Sequence, residues 1–339
     1  MATLKDISQL AKVSTASVSR VVNGDYSGVS SETKERILAA AKALHYQPNR
    51  IARGLVQKQT RIIGLMIPDV SNPYYADLAK GAEEETERSG YNLILCNTRD
   101  SMEKEKKYLD MLLGYNADGV ILTGMTSYNP SSSELLRSAG TPYVGIDRVD
   151  VDAPISFYSN GQRGTYLSTE YLIHRGHRQI AFIGGEVEAE RLYGGQQRMQ
   201  GYENALQSYG LELDPALELN GTYTIEGGYQ CAAALLEKGV PFTAVVCTND
   251  LIAFGVIKAA REKGLRIPED LSVVGYDDIA LCSFFEPKLT TIRQDSYALG
   301  KTACAELLAR LRGERTGAVV RSVEPQLIIR DSVCTPTLK

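Results

Sequence analysis

Nowhere in the 339 residues does the pattern Gly-x-Gly or Gly-x-Ser-x-Gly occur. The first absence removes the fingerprint that seats a dinucleotide on a helix N-terminus, and the second removes the elbow that presents a nucleophilic serine. Gly300-Lys301-Thr302 imitates the end of a phosphate loop, but position 295 is Asp where that loop needs Gly. Ser31 and Lys34 have the spacing of a Ser–Lys nucleophile pair, yet they open a helix that Ser31 is placed to cap. An enzyme is therefore not expected. The six cysteines (Cys96, Cys231, Cys247, Cys282, Cys304 and Cys334) include no Cys-x-x-Cys pair, which fits reduced, buried thiols rather than disulfides. His174 and His177 lack an acidic or Cys partner at a ligand spacing, so neither metal nor another cofactor is expected. No apolar run approaches a membrane span, and Lys5, Asp6 and Lys12 interrupt the apolar core that a secretion signal needs. A secreted solute-binding protein is thereby disfavoured, and a cytoplasmic location without membrane contact is expected. No leucine heptads follow EPQLIIRDSV, so a coiled-coil tetramer is not expected.

Charge, by contrast, is distributed unevenly. Residues 1–61 carry ten Lys or Arg against four Asp or Glu, a surplus of six, and the whole chain carries −4, which leaves −10 on the remainder. A small basic module on an acidic body suits a protein that neutralises phosphates at one end. In that module Leu4, Ile7, Leu10 and Ala11 recur at helical spacing, and Thr3 with Asp6 has the form of a capping box. Ser14 is placed to cap a second helix in which Val18, Val21 and Val22 face inward and Thr15, Ala16, Ser17 and Arg20 face solvent. Small side chains let that face approach base edges, and Arg20 offers the donor fork that matches guanine in the major groove.

The segments TLKDISQLAKVSTASVSRVVNG (3–24) and HYQPNRIARGL (45–55) resemble the DNA-reading headpiece of the LacI/GalR (lactose-repressor and galactose-repressor) family of bacterial transcription regulators. The similarity continues through RIIGLMIPDVSNPYYADLAKGAEE (61–84), RGHRQIAFIGG (175–185), QRMQGY (197–202), TNDLIAFG (248–255), VVGYDDI (273–279) and LTTIRQD (289–295). The resemblance implies that Thr15, Ala16 and Arg20 read bases while Ser14, Ser17 and Asn23 hold the phosphate backbone. It also implies a hinge helix opened by Pro48, along which Asn49, Ala52 and Leu55 enter the minor groove. Leu55 would wedge into a central base step, at a cost repaid by the bend it permits. A pseudo-palindromic double-stranded operator asks for a two-fold partner, so a homodimer is expected. Two departures from the family pattern stand out: Lys12 replaces the glycine often found in the turn, and the loop at 24–28 is one residue longer than usual.

Beyond Arg61, short apolar runs (IIGLMI, YNLILC, GVILTG, YVGID, QIAFIGG, AVVCTND, SVVGYDD) alternate with helical stretches, the mark of βαβ units around parallel sheets. The expected fold is an N-terminal all-α helix-turn-helix headpiece plus hinge helix, followed by an α/β two-lobed body, periplasmic-binding-protein-like by family resemblance. We place the headpiece at 1–47, the hinge helix and linker at 48–60 and the body at 61–339. Within the body the N-lobe comprises about 61–160 plus 293–322 and the C-lobe about 161–292 plus 323–339. The resemblance puts three chain crossings between the lobes, near 159–162, 290–294 and 321–325. Effectors of such folds sit at the carboxyl ends of the strands. Asp147, Arg198, Asn249 and Asp277 are the leading candidates there, because carboxylate, guanidinium and carboxamide groups together satisfy a sugar's hydroxyls or, in the case of Arg198, a sugar's carboxylate or phosphate. Tyr74, Tyr75 and Tyr223 stand where the family sets flat rings against its ligand, and Asn72, Asn160 and Gln294 complete the set. Strand-end Asn and Asp residues also cap helices, which is the competing account of this group. The expected partners are operator DNA, a small polar effector, a second copy of the chain and, in an alternative scheme that some relatives use, a co-regulator protein.

Overall fold

The computed structural model describes residues 2–46, 59–124, 130–148, 153–185 and 193–336. The chain divides into two compact units, Met1–Thr60 and Arg61–Lys339.

In the first unit, α1 (Leu4–Ala11), α2 (Thr15–Val22) and α3 (Ser31–Ala43) enclose a small core of Ile7, Ala11, Val18, Val21, Ile37 and Ala40. The capping box forms, with Thr3 N–H donating to Asp6 Oδ2 at 2.7 Å and Asp6 N–H donating to Thr3 Oγ1 at 3.3 Å. Ser14 caps α2 by accepting from Ser17 N–H at 3.1 Å. Helix α3 is capped by Ser30 rather than by Ser31, which is its first helical residue. Leu10 differs from the sequence expectation, being 55% exposed. At about 100° per residue, Leu4, Ile7 and Ala11 fall within one narrow arc and Leu10 lies well to the side of it. Helix α1 ends at Lys12, whose φ of 51° and ψ of 47° are left-handed. This is the conformation that a glycine adopts without cost, and it accounts for the family's preference at that position.

The second unit holds two parallel sheets. One has six strands in the order β11-β5-β4-β3-β1-β2: β1 (Ile62–Ile67), β2 (Asn92–Asn97), β3 (Gly119–Thr123), β4 (Tyr143–Ile146), β5 (Ile155–Ser159) and β11 (Val319–Val323). It is accompanied by α4 (Pro73–Arg88), α5 (Met102–Gly114), α6 (Pro130–Ser138) and α11 (Ser296–Leu311). Strand β1 shows why the sheet is covered on both faces. Its Ile63, Leu65 and Ile67 join one core with Leu78 of α4 and Leu307 of α11, while Met66 joins another with Leu109 and Leu112 of α5. An alternating strand with both sets of side chains apolar belongs in a doubly covered parallel sheet. The other sheet has the order β7-β6-β8-β9, from β6 (Ile180–Gly185), β7 (Glu218–Gly221), β8 (Ala244–Cys247) and β9 (Ser272–Val274). Its helices are α7 (Gly161–His174), α8 (Tyr193–Ser208), α9 (Ile225–Lys238) and α10 (Asp250–Glu262).

The chain passes between the two sheets after β5, after the short strand β10 (Thr291–Arg293) and before β12 (Gln326–Ile328). Strands β10 and β12 pair antiparallel, with Ile292 opposite Leu327. The histidines of the 174–177 segment have structural partners. His177 is buried, with Nδ1 2.8 Å from Thr243 Oγ1 and Nε2 2.9 Å from the Cys334 carbonyl, and His174 Nε2 is 2.8 Å from Tyr209 Oη. Among the described residues, no helix is long and apolar enough to cross a membrane.

Candidate functional site

Two candidate surfaces arise, one in each unit. In the first, Thr15, Ala16 and Arg20 are exposed on α2, and Ser17 is half-buried beside them. Ser14 Oγ and Ser17 Oγ lie 2.9 Å apart, and Arg20 Nη1 donates to the Ser27 carbonyl at 3.2 Å. That single bond carries the guanidinium across the loop without burying it. Asn23 ends the helix, its Nδ2 donating to Ser19 Oγ at 3.4 Å. Asn49, Ala52 and Leu55 lie outside the described residues.

In the second unit, side chains from both lobes meet where the strands end. Arg198 of α8 is 5% exposed. Its guanidinium lies 4.0 Å from the Tyr276 ring centroid, Nη1 donates to the Thr248 carbonyl, and Nη2 is 3.8 Å from Asp277 Oδ1. The ring and the carbonyl replace the water that a buried guanidinium gives up. Two glycines make room for this arrangement. A Cβ on Gly201 would sit 2.2 Å from the Gln162 carbonyl, so α8 can press against α7 only with glycine there, and a Cβ on Gly164 would sit 2.4 Å from Tyr276 Oη.

Asp277, just past β9, accepts from Gln294 Nε2 at 2.8 Å, and its own N–H donates to the Ile292 carbonyl at 2.7 Å. Burial pushes its carboxyl up to about 8, against the pull of Arg198. Asp147, after β4 and with φ of 53°, accepts from Ser159 N–H at 2.6 Å and Ser159 Oγ at 2.9 Å. Burial raises this carboxyl too, while the Ser159 bonds lower it. Tyr74 and Tyr75 open α4 with their rings edge to face, centroids 5.1 Å apart. Burial drives both phenols well above the ordinary range, and both sense the charges of Asp147, Asp277 and Arg198. The Tyr223 phenol is raised by burial and lowered by Arg198. These hydroxyls therefore stay protonated and available as donors.

The structure thus gathers Tyr74, Tyr75, Asp147, Arg198, Tyr223, Asp277 and Gln294 into one neighbourhood. The three asparagines play a different part. Asn72, Asn160 and Asn249 cap α4, α7 and α10, accepting from Tyr74, Arg163 and Ile252 N–H at 3.0, 3.0 and 2.8 Å. Asn249 also donates Nδ2 to the Tyr223 carbonyl at 3.3 Å, which ties the Tyr223 backbone to a helix start. Asp250 is the first residue of α10, whose cap is Asn249. Its carboxylate is buried and accepts from Ile279 N–H and Thr291 Oγ1. Sequence reasoning overlooked Tyr276 and Thr248, although each adjoins a residue already singled out at the end of a strand. Tyr74 Oη, Tyr223 Oη, Tyr276 Oη, Thr248 Oγ1, Arg198 Nε and Gln294 Oε1 are all buried without a hydrogen-bond partner among the described residues. Leaving one such atom unpaired costs about 1–3 kcal/mol, so each atom of the cluster calls for a polar partner, whether water or a ligand.

A helix-turn-helix module joined in one chain to a two-lobed α/β body is the architecture of a DNA-binding regulator. Comparison with known proteins agrees. Residues 3–49 match the family described as bacterial regulatory proteins, lacI family, and residues 169–333 match a periplasmic binding protein-like domain. The HTH-type transcriptional repressor PurR of Haemophilus influenzae (strain PittEE) is 39% identical over 342 residues, spanning 98% of this chain and 99% of the relative. The PurR repressor of Pasteurella multocida (strain Pm70) is 37% identical with the same coverage. Among solved structures, the lac repressor dimer bound to operator and the anti-inducer ONPF superposes with a TM-score of 0.85 at 30% identity, covering 98% of this chain and 99% of that one. The transcriptional regulator CelR in complex with cellobiose gives 0.74 at 30% identity, covering 98% and 100%. The chain belongs to the LacI family of bacterial regulatory proteins. Its relatives are transcriptional repressors, not enzymes.

Proposed function

We propose that this protein is a transcriptional repressor that binds a pseudo-palindromic operator as a homodimer and changes its operator affinity when a small polar effector enters the cleft. In this reading it acts in the cytoplasm, with a headpiece at 1–47, a hinge helix and linker at 48–60 and the body at 61–339. Thr15, Ala16 and Arg20 read bases, Ser14, Ser17 and Asn23 hold phosphates, and Asn49, Ala52 and Leu55 occupy the minor groove. The surplus of six positive charges in residues 1–61 supports this placement, because phosphate neutralisation dominates affinity.

The unpartnered polar atoms around Arg198 and Asp277 carry the effector half of the reading. Tyrosine hydroxyls and Arg198 Nε offer donors, while Gln294 Oε1 and the carboxyl groups of Asp147 and Asp277 offer acceptors. Both terminal nitrogens of Arg198 already face protein oxygens, one on Thr248 and one on Asp277. An anionic group would find two carboxyls and an occupied guanidinium, whereas a neutral polyhydroxylated molecule finds a partner for each hydroxyl. Asn72, Asn160 and Asn249 shape the cleft by fixing the helix starts and meet the ligand at its edge. Isothermal titration of the intact protein with cellobiose, ribose, gluconate and glucose 6-phosphate tests this. Heat from a neutral sugar, abolished by Arg198→Met, is the expected result, and heat from the acids alone would refute it.

A further inference from the structure

The loop after β9 holds two consecutive aspartates with positive φ, Asp277 at 109° and Asp278 at 57°. Asp277 belongs to the side-chain cluster described above, but Asp278 has other partners. Its Oδ2 accepts from Arg293 Nε at 2.7 Å and its Oδ1 from Arg330 Nη2 at 2.6 Å. Arg330 Nη1 donates in turn to the Leu289 carbonyl at 2.8 Å. The Asp278 side chain is 5% exposed and that of Arg330 13%, so the charge-assisted bond between them is shielded from water and correspondingly strong, whereas the Arg293 side chain is 46% exposed.

What matters is where the two arginines sit. Arg293 closes β10, just before the chain leaves for α11, and Arg330 follows β12, which the chain enters on its return from β11. One carboxylate therefore ties the cleft loop to two of the three crossings between the lobes. The third crossing, after β5, is held by Asp147 through Ser159. Each crossing is bonded to an aspartate that either belongs to the cleft or adjoins one that does.

We propose that Asp278 is a positioning residue that locks the cleft loop to the β10 and β12 crossings, so that movement of Asp277 is passed to the segments about which the lobes turn. The effector reading supplies only the source of that movement. The lock itself is testable without a ligand. Asn tolerates positive φ, so Asp278→Asn removes the charge and leaves the backbone at ease.

Hydrogen–deuterium exchange of the intact protein reads the outcome. Amides in 289–296 and 324–331 should exchange roughly tenfold faster in Asp278→Asn than in wild type. Amides of β1, β3, β6 and β8 should match wild type. Arg293→Gln, at a half-exposed site, should produce a smaller acceleration confined to 289–296, and it decides the matter if Asp278→Asn loosens the whole body. Unchanged exchange at the crossings in both variants, or equal acceleration of crossings and sheets in both, overturns the proposal. Operator binding by the wild-type protein, measured separately, judges the regulator reading and leaves this result untouched.

Discussion

Replacing Arg198 by methionine tests the site at its centre. The substitution removes the hydrogen bond to the Thr248 carbonyl, about 1.5–3 kcal/mol for a charged donor. It also removes the stacking over Tyr276, about 2 kcal/mol in a desolvated setting. Methionine recovers part of the apolar burial. Asp277 loses its counter-charge, yet its carboxyl is already raised to about 8 and meets that loss by staying protonated at neutral pH. The balance is a loss of about 3 kcal/mol. At about 2–4 °C per kcal/mol for a large domain, the melting temperature of the body should fall by about 6–12 °C. Scanning calorimetry of the intact protein at neutral pH provides the measurement. The same experiment on Asp277→Asn in the Arg198→Met background should show little further loss, because the carboxyl there has no cation left to satisfy. A fall of less than about 2 °C for Arg198→Met would mean that the guanidinium is not held as described.

Three other outcomes follow from particular residues. Lys12→Gly should stabilise the headpiece by about 0.5–1 kcal/mol, since Lys12 has a φ of 51° that costs a side-chain-bearing residue more than glycine's extra unfolded-state entropy; slower amide exchange in α1 and α2 supports this, and faster exchange contradicts it. Asp277 has a folded pKa above its unfolded one, so the stability it gives is full below about pH 4 and is lost as pH rises toward about 8. The melting temperature should accordingly drop between about pH 6 and 8, and Asp277→Asn should flatten that drop, the remainder coming from Asp250, raised by burial to about 7; an unchanged slope refutes the assignment. Arg20→Ala should cost about 1–3 kcal/mol of specific operator binding and little of non-specific binding, so an equal loss on both duplexes would remove Arg20 from the base-reading set.

The parts of the fold that the sequence discloses are those where a local rule suffices. The capping box at Thr3 and Asp6 and the inward valines of α2 are legible because capping and helical periodicity act over a few residues. The long apolar strands are legible for the same reason. Strands β10 and β12 span three residues each, and β7 is the unpatterned ELNG; they exist because neighbouring strands pair with them, which a short segment cannot announce. Leu10 shows the limit of spacing arguments, since four apolar residues at plausible intervals did not all share one arc. The cleft was legible as a set of strand-end residues but not as a division of labour. Asn72, Asn160 and Asn249 cap helices, whereas Asp250 bonds to Ile279 and Thr291, residues distant in sequence. Asp278 and its two arginines were invisible because Arg293 and Arg330 reach it across 15 and 52 residues.

Specific operator recognition by the headpiece underlies the proposed function. Selection of a duplex by the intact protein from a random pool, followed by fluorescence anisotropy on the enriched sequence and a scrambled control at physiological salt, tests it most directly. The expected result is a pseudo-palindrome with a central CG step, bound at least about a thousandfold more tightly than the control. A pool that yields no enriched sequence, or two duplexes bound equally and weakly, would contradict it.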